Sequence, residues 1–266
     1  MIAVDLRDTT VVVTGGTRGL GRAIGLELAR AGASVVLTHR WESVPEAEVH
    51  AAFAALSLPS PAVVESDVSD PAATRALMRS LRGRPPLHAV VSNVAFAKIV
   101  RDLPDLKRNA LDLSLAYSAW PIVDLVQAAR EELGAYPRYV IGVSSDGGEV
   151  CHPGYDLAGA SKAVLETLCR YLAVRLRGEG VRVNAVRPGL LDTQSSRAML
   201  GDAALERLKA LDPSPVLDLA GAARACVALC SGLLDGVNGQ VLVVDEGWSL
   251  VDPLDWTART GPTGEP

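Results

Sequence analysis

Thr10-Val-Val-Val-Thr-Gly15-Gly-Thr-Arg-Gly-Leu-Gly21 decides the reading of this chain. A β-branched run meets a glycine-rich turn, and a helical pattern follows through Ala23, Ile24, Leu26, Leu28 and Ala31 to Gly32. A second apolar run, Ser34 to Thr38, completes a strand-turn-helix-strand unit, the opening of a parallel sheet. The alternation continues outward. Strands are predicted at 62–67, 88–93, 139–143, 181–186 and 240–244. Helices are predicted at 71–82, at 108–133 with a kink at Pro121, and from about 155 to 178. Near-continuous apolar strands between helices predict an α/β fold, a doubly wound parallel sheet of Rossmann type in three α/β/α layers. A single domain is expected over residues 1–251. Residues 252–266 read as a frayed tail, and 194–218, which break the rhythm, read as a flap.

The 266 residues are 48% hydrophobic and 21% charged with net charge −5, enough for a substantial core and without the basic footprint of a nucleic-acid binder. No apolar run reaches the ~18 residues of a membrane span, and Met1-Ile-Ala-Val-Asp5 lacks the pattern of a signal peptide. A cytoplasmic protein is expected. Cys151, Cys169, Cys226 and Cys230 are read as buried structural thiols. Cys226 and Cys230 lie one helical turn apart, but no flanking His or second Cys pair gives zinc-like spacing, so no metal is expected.

A glycine-rich turn between a strand and a helix directs backbone N–H groups at a pyrophosphate. Gly15, Thr17, Arg18, Gly19, Leu20 and Gly21 are therefore candidate cofactor residues. The second strand ends in Thr38-His39-Arg40, without the carboxylate that commonly binds the ribose hydroxyls of NAD. Arg18 and Arg40 can converge on a 2′-phosphate, so NADPH is expected, with His39 beside it.

With these pieces in order, the chain resembles the short-chain dehydrogenase/reductase family over nearly its whole length. Further matches are Asp67-Val68, Asn93, Ser144-Ser145, Ser161-Lys162-Ala163, Val183-Asn-Ala-Val-Arg-Pro-Gly189 with Thr193, and Gly239-Gln-Val-Leu-Val-Val-Asp245. The resemblance implies that Asp67 and Val68 meet the adenine, Asn93 the ribose region, and Pro188, Gly189 and Thr193 the nicotinamide end. It also implies that Ser145 contacts substrate and that the protein is a homotetramer or dimer. Three departures stand out. The usual Asn-Asn-Ala-Gly reads Ser92-Asn-Val-Ala95, the relay Asn of the central helix has no counterpart around 112–118, and the usual Tyr position holds Ala158.

Tyr155 instead stands seven positions before Lys162, which resembles the enoyl-thioester (enoyl-ACP) reductase branch. At ~100° per residue, seven positions rotate ~700°, so the pair still shares a helix face, with the phenol ~4.5 Å farther along the axis than at the usual spacing. That shift suits an enolate oxygen, which lies farther from the hydride-accepting carbon than a ketone oxygen does. Lys162 is expected to hold the cofactor ribose and to lower the phenol's pKa. The catalytic set is thus Tyr155, Lys162 and Ser145, with His152 as an alternative acid. Three readings follow. The first is an NADPH-dependent reductase of an α,β-unsaturated carbonyl compound or carrier-bound thioester. The second is a ketoreductase on a bulky ketone with an atypical proton donor. The third is a non-catalytic cofactor-binding or scaffold protein.

Overall fold

A computed structural model describes residues 4–40, 44–96, 98–211 and 214–252. In chain order the elements are β1 (Thr10–Val13), α1 (Gly19–Arg30), β2 (Ser34–His39), α2 (Glu46–Ala54), β3 (Ala62–Glu65), α3 (Pro71–Ser80) and β4 (Leu87–Ser92). They continue with α4 (Arg108–Ser118), α5 (Pro121–Leu133), β5 (Tyr139–Val143), α6 (Asp156–Arg175) and β6 (Arg182–Pro188). Last come α7 (Gln194–Leu200), α8 (Asp202–Lys209), α9 (Leu219–Cys230) and β7 (Val241–Val244). The seven described strands form one sheet in the order β3-β2-β1-β4-β5-β6-β7, and every pairing is parallel. Strand order reverses between β1 and β4, the switch point at which such sheets open a ligand crevice. This is the Rossmann-type arrangement expected from the sequence.

The strand period of two divides the core. Val11 and Val13 face one side, where Ile24, Leu28, Phe53, Ala223 and Leu229 bring in α1, α2 and α9. Val12 faces the other, with Met78, Ile122, Leu125 and Leu165 from α3, α5 and α6. No described helix is long and apolar enough to cross a membrane.

Local chemistry sets the boundaries. Asp70 accepts from Ala72 N–H at the head of α3, where Pro71 takes the first turn, and Asp218 caps α9 through Ala220 N–H. The helix expected as one piece over 108–133 is two. Pro121 has no N–H to bond back, so α4 ends at Ser118 and Pro121 opens α5. The helices α2 and α9 were not resolved by periodicity alone. The flap comprises α7 and α8, hinged at Gly201 (φ 82°) and joined to the body by a bridge between Leu191 and Leu217. The expected tail from 252 lies almost wholly outside the described residues. Cys169, Cys226 and Cys230 are buried, but Cys151, expected among the buried thiols, is exposed. It sits in the loop ahead of α6, where no apolar layer covers it.

Behind the carboxyl ends of β5 and β6 lies an ion pair, Glu166 of α6 with Arg187 of β6, 5% and 8% exposed at 2.8 Å. Ser144 Oγ donates to Glu166 Oε1 at 2.7 Å. Arg187 also reaches Glu149 in the loop after β5, at 2.6 Å. These carboxylates, Glu149 foremost, hold the Arg187 guanidinium above its ordinary pKa. Glu149 is 65% exposed and screened by water, however, so Glu166 carries the structural weight. In urea denaturation, Glu166→Ala, which strands a buried guanidinium, is expected to cost about 3–5 kcal/mol. Glu149→Ala is expected to leave the midpoint close to wild type.

Candidate active site

All the cofactor and catalytic candidates read from the sequence line one cleft of about 990 Å³ at the carboxyl ends of the strands. At its floor the chain turns from β1 into α1. A Cβ on Gly21 would lie 2.3 Å from the carbonyl oxygen of Gly15, so only glycine permits this turn. Asn93 Nδ2 donates to the carbonyl oxygens of Thr14 and Gly15 at 3.0 and 3.2 Å, bracing the turn from β4.

The neighbouring strand ends supply polar groups. Thr38 Oγ1, His39 Nδ1 and Ser66 Oγ are buried with no hydrogen-bond partner, and all three residues line the cleft. Such atoms are costly unless a ligand satisfies them. Arg40 is ion-paired with Asp67 at the same end, and Asp67 also accepts from Ser69 N–H and Oγ. Arg18 lies in the loop opposite. A glycine cradle, orphaned hydroxyls and a guanidinium fixed at the rim fit a nicotinamide dinucleotide. At the far end, Pro188 and Gly189 follow β6, and Thr193 caps α7 by exchanging hydrogen bonds with Ser196.

Lys162 is buried in α6, and its Nζ donates to the carbonyl oxygen of Val143 at 2.6 Å. Burial lowers its pKa to about 8. Tyr155 is the residue before α6, with φ −96° and ψ 8°, so the helix does not itself set its direction. A turn and a glycine seat do. His152-Pro153-Gly154-Tyr155 closes with Tyr155 N–H donating to His152 O at 3.1 Å, and Gly154 takes φ +78° as a type II turn requires. The Tyr155 ring lies on Gly147, where a Cβ would come within 2.3 Å of Cδ1. Gly147 O in turn sits 2.2 Å from where a Cβ on Gly159 would be. Neither glycine was singled out from the sequence, although Asp146-Gly-Gly148 directly after Ser145 was the available signal.

Ser145 Oγ and Tyr155 OH are 3.1 Å apart, a hydroxyl pair facing the cleft. The expectation that Lys162 lowers the phenol's pKa is corrected. Burial raises it, the Ser145 hydrogen bond opposes that rise, and the Asp146 carboxylate adds to it. The ammonium is turned to the Val143 carbonyl instead. Tyr155 is therefore a neutral phenol through the physiological range, fit to donate a hydrogen bond rather than to ionise. His152 Nε2 and Asp146 Oδ2 are 2.8 Å apart, and the His152 ring stands edge-on to Tyr155 with centroids 6.0 Å apart. Phe96, Leu190, Met199 and Leu200 give the mouth an apolar wall.

Comparison with known proteins agrees with this architecture. Residues 15–249 match the family described as Enoyl-(Acyl carrier protein) reductase. The chain is 31% identical over 250 residues to 1-cyclohexenylcarbonyl-CoA reductase of Streptomyces collinus, covering 91% of this chain and 87% of that one. It is 26% identical over 269 residues to NADPH-dependent aldehyde reductase 2, chloroplastic, of Arabidopsis thaliana, covering 92% and 95% respectively. Among solved structures, the Bacillus cereus enoyl-acyl carrier protein reductase with NADP+ and indole naphthyridinone superposes with a TM-score of 0.81. Its identity is 25%, over 95% of this chain and 100% of that one. The glycine-rich turn at the switch point, the Tyr–Lys pair ahead of β6 and these likenesses place the chain in the short-chain dehydrogenase/reductase family of oxidoreductases, within its enoyl-thioester reductase-like branch.

Proposed function

We propose that the protein is an NADPH-dependent reductase of α,β-unsaturated carbonyl compounds, most simply acyl thioesters. The carrying observation is the Tyr155–Ser145 hydroxyl pair, seated on Gly147 in the cleft that also holds the glycine-rich turn. When bound, a reduced nicotinamide supplies hydride. The chain's own residues do the rest. Tyr155 OH donates to the carbonyl oxygen, where charge develops as the β-carbon is reduced, and Ser145 orients that phenol. Lys162 supplies a buried positive charge beneath the site, the apolar mouth excludes water, and Arg18 with Arg40 receives a 2′-phosphate. The apolar wall and the likeness to a reductase of a cyclohexenyl thioester support a bulky or cyclic acyl group. Exposed Val164 and Tyr171, seven apart on α6, support homo-oligomer assembly through that helix.

A second reading, reduction of a ketone or aldehyde, is favoured by the aldehyde reductase likeness. NADPH oxidation with crotonyl-CoA, 1-cyclohexenylcarbonyl-CoA and acetoacetyl-CoA separates the two. Turnover of the enoyl thioesters is expected, and Tyr155→Phe is expected to lower kcat by about 10²–10³-fold. Turnover of acetoacetyl-CoA alone sinks the first reading.

Cofactor choice is tested by titration. NADPH is expected to bind more tightly than NADH, and Arg18→Ala or Arg40→Ala to weaken NADPH by about tenfold with little effect on NADH. Equal weakening of both cofactors would remove the 2′-phosphate role. The pH profile tests Lys162. Its pKa is lowered to about 8, so the charge is present below that pH and lost as pH rises through it. The free-enzyme kcat/KM is expected to fall on the alkaline side near pH 8, a limb missing from the residual activity of Lys162→Met.

A further inference from the structure

The conjugate reduction proposed above needs a proton at the α-carbon as well as a hydrogen bond at the carbonyl oxygen. Tyr155 serves the oxygen. The α-carbon is separated from that oxygen by the carbonyl carbon, so one phenol does not serve both places at once. We propose that His152, oriented by Asp146, is the acid that protonates the α-carbon; the proposal rests on the conjugate-reduction reading.

Three observations place it. His152 and Tyr155 are the first and last residues of one type II turn, closed at 3.1 Å, so their backbones are held close together. The rings stand edge to face at 6.0 Å, and both residues line the cleft. The His152 Nε2 contact with Asp146 Oδ2 at 2.8 Å assigns that nitrogen as the donor to the carboxylate and leaves Nδ1 as the ring's other site. A carboxylate at one imidazole nitrogen orients the ring and leaves the other nitrogen to meet a substrate, the arrangement general acid–base catalysis uses. His152 is 33% exposed, so solvent can return the proton after each turnover.

The step balances. Hydride from the reduced nicotinamide forms the β-carbon–hydrogen bond, and the double-bond electron pair moves to give the enolate held by Tyr155. That pair then forms the α-carbon–hydrogen bond with the Nδ1 proton of the imidazolium, the carbonyl double bond reforms, and neutral His152 takes a proton from water. Tyr155 keeps its own proton, consistent with a phenol whose burial opposes ionisation. The Asp146 carboxylate adds to that opposition while it orients His152.

The test compares wild type, His152→Ala and His152→Gln with an enoyl thioester, with acetoacetyl-CoA in parallel. Either variant is expected to lose at least about 10²-fold in kcat on the enoyl thioester. NADPH affinity, read by fluorescence titration, and thermal midpoint are expected to stay at the wild-type values. Added imidazole is expected to restore part of the His152→Ala rate. His152→Gln keeps a donor towards Asp146 without a transferable proton, so it carries the test if His152→Ala fails to fold. Enoyl turnover within about twofold of wild type in a folded variant overturns the assignment, as does a loss that imidazole leaves untouched in a folded His152→Ala. Wild-type turnover of acetoacetyl-CoA alone overturns the conjugate-reduction reading, and this route falls with it.

Discussion

Two charged side chains one turn apart on α6 fix the site. Lys162 donates to the carbonyl oxygen of Val143, and Glu166 accepts from the hydroxyl of Ser144, so successive residues at the end of β5 are pinned to successive turns of the helix. Arg187 ties the same carboxylate to β6. The end of the sheet, the helix and the loop that carries Ser145 therefore form one unit. Buried ion pairs add little net stability over an apolar packing, but they tolerate few alternative geometries. Here that intolerance has a use, because the hydroxyls of Ser145 and Tyr155 are placed by the backbone this unit holds.

Burial then divides the labour between the two signature residues. Lys162 loses proton affinity as water is removed from it, and Tyr155 becomes harder to ionise. Burial is the largest cause of both shifts, and they move the pair towards a cation that is easily discharged and a phenol that stays neutral. A neutral phenol beside Ser145 is suited to donate a hydrogen bond to developing negative charge. Proton delivery is then separable from charge stabilisation, and an imidazole stands at the other end of the Tyr155 turn.

The sheet and the glycine-rich turn were legible in the sequence because they depend on local patterns. Apolar strands such as Val11-Val-Val13 and Val35-Val-Leu37 are buried on both faces, Gly15 takes φ +60°, and Gly21 sits where only glycine fits. The split of 108–133 into α4 and α5 turned on Pro121, whose missing N–H ends one helix and begins the next. Less legible was everything that depends on which residues meet through the fold. Glu166 and Arg187 are 21 positions apart and look like surface charges in isolation. The pairing of Arg40 with Asp67 joins two strand ends 27 positions apart. The direction of the Tyr155 pKa shift is not legible in the sequence, because spacing to Lys162 says nothing about which carbonyl claims the ammonium.

The long Tyr–Lys spacing itself takes on a different meaning in three dimensions. Periodicity alone places Tyr155 on the Lys162 face one turn beyond the usual site, yet Tyr155 precedes the helix, and its dihedrals are not those of α6. Its position follows from the turn at Pro153-Gly154 and from the bare backbone of Gly147 beneath the ring. Gly159, one turn into α6, lets that backbone approach to within 2.2 Å of a Cβ position. Moving the tyrosine out of the helix thus exchanges a periodic constraint for a steric one. The phenol is then positioned by the loop that also carries Ser145, Asp146 and His152, while Lys162 is held to the end of the sheet by the Val143 carbonyl.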